Sequence, residues 1–237
     1  EKPLAIEMEA LDKIAAAQRE TGARIGMMLN YRYDPRFYTA RKLVETGVIG
    51  EPAIGYAQKS YKFGSDRPWY YRERKTFGGL IPWVGIHAID WFQWVSGVEY
   101  ASVTARHSNH AFPDYPGMED SATCLFELAN GGSAVMSFDY LRPRSSPTHG
   151  DDRLRLVGTK GLLEISGESG LHVIDSNGAY AAELENPPRG HFADFVCSVE
   201  RGTDCLIGVQ DCIDVTRVAL LAREAADTGK RVNLPAA

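Results

Sequence analysis

The sequence predicts an α/β chain of the α+β type: an open, mostly antiparallel β-sheet with helices on one face, preceded by a helix and a strand that belong to a parallel, doubly wound sheet. Three observations lead there. Residues 1–30 read as a helix followed by a buried apolar run. The middle of the chain carries short stretches with two-residue alternation, separated by glycine turns. The helices starting near Pro35, Pro82 and Val209 each show a single apolar stripe.

Taken in order, Leu4, Met8, Leu11 and Ala15 form the stripe of the first helix, and Gly22 sits where a left-handed C-terminal cap belongs. Residues 23–30 are a short apolar run of the kind that forms a buried strand in a helix-covered sheet. Asp34-Pro35 opens a second helix as N-cap and first-turn proline, and Gly47 follows its end. From residue 54 to 63 the period changes to two, with Ile54, Tyr56 and Gln58 alternating against Gly55, Ala57 and Lys59. A loop over 64–76, basic and aromatic, leads to a helix over 82–96 that Gly97 stops. Strands are then expected at 101–107, 121–128, 133–141, 153–157, 162–165 and 171–174. Asn130-Gly131, Asn177-Gly178 and Gly158-Thr-Lys-Gly161 supply tight turns between antiparallel neighbours. Helices over 192–200 and 209–228 and a short strand at 231–234 close the chain.

The composition narrows the function classes. With 237 residues, 44% of them hydrophobic, the chain can bury an ordinary core. A net charge of −5 and the lack of a long Lys/Arg run argue against nucleic acid as a partner. No apolar stretch approaches the roughly 18 residues of a membrane span, so no membrane partner is expected. The four cysteines, Cys124, Cys197, Cys205 and Cys212, contain no C-x-x-C pair; they read as reduced thiols of a cytoplasmic protein, and no metal site is expected. Glu1 and Lys2 lead directly into a helical pattern, which is not how a signal peptide begins.

Four separated stretches carry a family likeness: Glu1-Lys2-Pro3; Asn30-Tyr31-Arg32 with Pro35; Gly47-Val-Ile-Gly50; and Gly78-Gly79 followed by Gly85-x-His87-x-x-Asp90. In this order, over nearly the whole length, the chain resembles the Gfo/Idh/MocA family, the relatives of glucose-fructose oxidoreductase and inositol dehydrogenase. The resemblance implies an NAD- or NADP-dependent oxidoreductase acting on a secondary alcohol of a sugar, cyclitol or related polyol, and working as a homodimer or higher homo-oligomer. It assigns residues 1–30 to the end of a Rossmann domain and 31–237 to a C-terminal domain for substrate binding and oligomerisation. It also implies that Glu1, Lys2 and Pro3 lie against the cofactor. No G-x-G-x-x-G occurs in the 237 residues, so this chain by itself is expected to hold a dinucleotide poorly and to be inactive.

Moving a hydride off a secondary alcohol requires a cation that lowers the alcohol's pKa and a group that takes its proton. Lys2 and His87 are the candidates. A lysine before proline has an extended backbone and can aim its ammonium into the crevice beyond a sheet edge, although an exposed lysine at a chain start is an equal reading. On the helix over 82–96, His87, Asp90, Trp91 and Trp94 stand at i, i+3, i+4 and i+7 and are expected to share a face. A histidine and a carboxylate one turn apart can bracket a polyol, while the same spacing also suits a purely structural helix. Asn30 and Asp90 are the expected hydroxyl binders. Arg32, Trp69, Trp83, Arg142 and His149 complete the expected substrate contacts, because arginine forks onto carboxylate or phosphate and indole stacks on sugar faces.

One position departs from the family pattern. Dehydrogenases of the family carry an aspartate four residues before the histidine, and Trp83 stands there instead. An indole cannot accept a proton or stabilise an imidazolium. Either His87 works alone, or Asp90 or Asp120 substitutes, or the activity differs; a catalytically silent ligand-binding or dimerisation module is the second reading. Dimerisation is expected through the outer face of the sheet, where Leu125 and Val135 point away from Cys124, Phe126, Met136 and Phe138.

Overall fold

In the computed structural model, which describes residues 1–64, 67–167 and 169–235, the alternating stretches assemble into one 9-stranded sheet. The strands are β1 (Pro52–Tyr61), β2 (Tyr100–Ser108), β3 (Ser121–Leu128), β4 (Ser133–Asp139), β5 (Gly150–Gly158), β6 (Leu162–Ser166), β7 (Leu171–Asp175), β8 (Gly178–Ala181) and β9 (Val232–Asn233). Their spatial order is β8-β7-β6-β5-β1-β4-β3-β2-β9. Every neighbouring pair is antiparallel except β1 and β4, which run parallel at the centre with Ala57 opposite Met136. The expected open, mostly antiparallel sheet is therefore what forms.

The helices are α1 (Met8–Thr21), α2 (Pro35–Glu45), the short α3 (Arg74–Phe77), α4 (Ile86–Ser96), α5 (His191–Arg201) and α6 (Val209–Thr228). The Asp34 carboxylate accepts from the Arg36 backbone N–H and caps α2, as the Asp-Pro pair suggests. The inward rows of β1 to β7, including Ala57, Cys124, Phe126, Met136, Phe138 and Leu156, are buried in a single core with α2, α4 and α6. Gly55 lets α4 settle onto β1: a Cβ there would lie 2.1 Å from the Phe92 ring. The opposite row stays open, with Ile54, Leu125 and Val135 among the exposed apolar side chains. α1 docks separately, burying Leu11 and Ala15 against Ile213 and Leu220 of α6.

Residues 23–30 correct one expectation. Met27 and Leu29 are buried as read, yet the segment is irregular and pairs with no strand among the described residues. Its local backbone link runs from the Leu29 N–H to the Met27 carbonyl. An apolar run reports burial, whereas a strand also needs a hydrogen-bonding neighbour. A second correction lies before His87: residues Ile81–Gly85 form a wide π-type turn, and α4 proper begins at Ile86. Pro82, lacking an N–H, sits in the first turn of that element, where a backbone donor would have had no intrahelical acceptor in any case. Strand β8, which follows the Asn177-Gly178 turn, has no apolar alternation and all its residues are exposed.

Candidate active site

Helix α4 is buried along most of its length, and its polar side chains turn to two different partners. Asp90 and Trp94, four apart, turn to Arg32. The guanidinium donates from Nη2 and Nε to Asp90 Oδ1 at 2.6 and 3.0 Å, and also reaches the Leu206 carbonyl and Asp211. Trp94 lies under the same guanidinium at 5.6 Å. His87 and Trp91, also four apart, turn instead to Tyr31, whose ring meets them edge-on at 5.5 and 4.6 Å. The expected bracket of His87 and Asp90 around a polyol is thus absent. Asp90, 2% exposed, is used up by Arg32, because both carboxylate oxygens accept from its guanidinium.

His87 is the centre of a cationic cluster. It is buried, and its Nδ1 has no hydrogen-bond partner among the described residues. Burial, then the charges of Lys2 and Lys59, hold its pKa well below the usual histidine value, so the ring is neutral. Lys2 donates to the Trp83 carbonyl and lies 5.0 Å above the Trp83 ring. Burial and the nearby Lys59 push its pKa down to about 8. Trp83, in the position of the family's aspartate, therefore holds the lysine and not the histidine. Its indole packs among Tyr70, Tyr71 and Phe77.

Lys59 is a residue the sequence reading passed over. It projects from the buried face of β1, fully covered, pairs with Asp152 at 2.7 Å and donates to the Tyr31 hydroxyl. Burial lowers its pKa to about 8 in spite of Asp152. The Tyr31 hydroxyl in turn donates to Asp152. A signal was present: Lys59 continues the row of Gly55 and Ala57, the row that faces the helices. Tyr31 and Asp152 also line a cleft of about 530 Å³ together with Tyr61, Arg142 and His149. Tyr31 so joins the cleft to the His87 cluster.

Of the residues expected at a site, Lys2, His87 and Trp83 come together, and Arg142 and His149 line the adjoining cleft. Arg32 and Asp90 form the separate buried pair. Asn30 is exposed at the start of a 3-10 turn over Asn30–Tyr33, and Trp69 is 67% exposed beside Tyr70. Glu1 is exposed and near enough to Lys2 for its charge to be felt, while Pro3 is partly buried.

Comparison with known proteins places this geometry. A family model described as the GFO/IDH/MocA C-terminal domain matches residues 37–164. The chain belongs to the Gfo/Idh/MocA family. A solved structure of a putative oxidoreductase from Thermotoga maritima superposes with a TM-score of 0.93 at 41% identity, covering 98% of this chain and 71% of that one. Among curated Gfo/Idh/MocA relatives, an inositol 2-dehydrogenase of Rhizobium meliloti is 25% identical over 86% of the chain. A scyllo-inositol 2-dehydrogenase (NAD(+)) of Bacillus subtilis is 28% identical over 73% of it. The chain spans 63% and 49% of the lengths of those two relatives. This Gfo/Idh/MocA chain is thus a member of an oxidoreductase family whose relatives include polyol dehydrogenases. Among the described residues no helix is long and apolar enough to cross a membrane, and no cluster of metal-binding side chains is found.

Proposed function

We propose that the chain forms the substrate side of an NAD- or NADP-dependent oxidoreductase that oxidises a secondary alcohol of a sugar, cyclitol or related polyol. The observation that carries this reading is the nearness of the part-buried Lys2 ammonium to a buried, neutral His87 whose Nδ1 is unpartnered among the described residues. These groups suit a hydroxyl and not a dinucleotide phosphate, since the chain has no G-x-G-x-x-G to cradle a pyrophosphate. A bound nicotinamide would accept the hydride from the alcohol carbon. Everything else falls to this chain's side chains. Near neutral pH Lys2, with its pKa at about 8, is mainly an ammonium. It would stabilise the developing alkoxide, while His87 takes the hydroxyl proton. Lys59, locked to Asp152 and Tyr31, disfavours a second positive charge on His87 and keeps it ready as acceptor. Trp83 fixes the direction of Lys2 and covers the cluster from water.

Residues 1–30 would adjoin the cofactor domain, with Glu1, Lys2 and Pro3 at its edge. The outer face of the sheet would be the contact between copies in a homo-oligomer. Leu125 of β3 lies directly across from Val135 of β4, which neighbours Tyr56 of β1, and Ile54 pairs with Val157 of β5. That contiguous apolar surface is unusual for a monomer. The free thiols support a reducing, cytoplasmic setting. The catalytic reading is tested, in the chain joined to its proposed cofactor domain, by turnover with NAD or NADP and a polyol. His87→Ala should lower kcat by about a hundredfold or more, the scale of a lost general base; full turnover in that variant overturns the reading and leaves a silent binding module.

A further inference from the structure

The cleft beside His87 is more positive than the protein that contains it. The chain as a whole carries −5, yet among the described residues around this cleft seven cations face five carboxylates, Glu1 and Asp139 included. Arg142 and Arg153 share the Asp151 carboxylate, at 3.5 and 2.9 Å. Lys59 is matched by Asp152 and Arg36 by Asp34, each at 2.7 Å. Among the described residues three further cations, Lys2, Lys62 and Arg67, spend their side-chain hydrogen bonds on neutral oxygens. Lys2 donates to the Trp83 carbonyl, Lys62 to the Ser146 carbonyl, and Arg67 to the Tyr71 hydroxyl and the Lys62 carbonyl at 3.3 and 3.4 Å. The Arg67 Nε is buried and has no partner among the described residues. Its guanidinium stands 5.1 to 5.2 Å from the rings of Phe63, Tyr71 and Tyr140, an aromatic seat that fixes its position and itself brings no carboxylate. Lys62 and Arg67 adjoin the cleft wall: the Lys62 backbone N–H donates to the His149 carbonyl at 3.0 Å, and Arg67 is tied to Lys62 through the Lys62 carbonyl; burial, then Arg67, Lys62, Lys59 and Arg142, lower the pKa of His149 accordingly.

We propose that the cleft takes an anionic sugar, a polyol bearing a carboxylate or phosphate, whose charged oxygens sit among Arg67, Lys62 and Arg142 while its alcohol reaches Lys2 and His87. The inference rests on the oxidoreductase reading of the same site and names its substrate class. A neutral polyol would leave the excess charge and the Arg67 Nε uncompensated in a partly desolvated cleft, which is costly. An anion satisfies both, and charge-assisted hydrogen bonds from arginine to carboxylate or phosphate are the strong ones. A cleft of about 530 Å³ accommodates a six-carbon sugar acid. Lys2 and Lys59, each near half protonation at pH 8, would regain their protons when an anion binds beside them.

Calorimetric titration of the protein at pH 8 tests this with D-gluconate, glucose 6-phosphate, D-glucose and myo-inositol as probes. At least one of the two anions should bind about tenfold or more tightly than both neutral compounds, the gluconate and phosphate arms showing which headgroup is preferred. Its binding should weaken as salt rises and should take up protons, seen as a heat that depends on the buffer's own ionisation enthalpy. Arg67→Gln should abolish the preference, with Lys62→Met reducing it in a second, independent variant. Arg19→Gln, on the exposed side of α1, should leave it intact. Equal affinity for charged and neutral probes overturns the inference. If neutral polyols are nevertheless oxidised, the proposed function stands without it; if no polyol of either kind is bound or oxidised, both fail.

Discussion

The two polar stations on α4 lie one turn apart and are built in opposite ways. At Asp90 every charge is answered: two oxygens meet one guanidinium, whose remaining donors go to the Leu206 carbonyl and Asp211. At His87 the polar groups are left short. Its Nδ1 is unpartnered, two lysines sit close by with their pKa values lowered to about 8, and a tryptophan stands where a carboxylate would have relieved them. A satisfied buried pair fixes a fold. Buried groups held in the less favourable charge state store that cost for a ligand to relieve. On the proposed function the same helix separates a structural end from a chemical end, and the sequence spacing of three residues hides the boundary.

The comparison can be broken hardest at its structural end. Arg32→Met would strand the Asp90 carboxylate in the core, and breaking one partner of a buried pair costs about 3–5 kcal/mol; urea unfolding should show a loss of that size, and an unchanged midpoint would mean the pair contributes nothing. Gly55→Val disturbs both ends together by lifting α4 off β1, since its Cβ would meet Phe92. A loss of about 1–3 kcal/mol is expected for such overpacking, accompanied by weaker polyol binding. The smallest effect sharpens the chemical end. Lys59 has a folded pKa of about 8 against 10.5 when unfolded. Between those values the unfolded chain binds more protons, so this lysine makes stability rise with pH across that window and contributes no slope below it. Lys59→Met should show a flatter rise, by at most about 1.4 kcal/mol per pH unit. An identical slope in both proteins would show that Lys59 is not desolvated as described.

Much of the fold was legible because strand period and turn chemistry are local. The rows of β3 and β4, the Asp34 cap of α2 and the bounds of α6 follow from neighbouring residues alone. The parallel pairing of β1 with β4 was not, since it joins residues some eighty positions apart. Nor was the irregular course of residues 23–30, whose apolar character specifies burial without a partner. At the site, Lys2 and His87 were legible from spacing and family likeness. Asp90 misled because i and i+3 suggested a common face, whereas the i, i+4 pairs His87 with Trp91 and Asp90 with Trp94 diverge toward Tyr31 and Arg32. Lys59 was masked by its charge: its place in the inward row was visible, but lysine there reads as solvent-facing until Asp152, ninety-odd residues later, supplies the counter-charge.

The claim that one helix carries a chemical end and a structural end is tested most directly by measuring His87→Ala and Asp90→Asn side by side, each for kcat in the chain joined to its proposed cofactor domain, with cofactor and polyol, and for unfolding free energy in urea. The expected result is a crossed pattern: His87→Ala loses about a hundredfold in turnover with its stability kept, and Asp90→Asn loses several kcal/mol of stability, leaving the folded fraction active. The reverse pattern, a His87→Ala protein that turns over normally but unfolds early, would contradict the account.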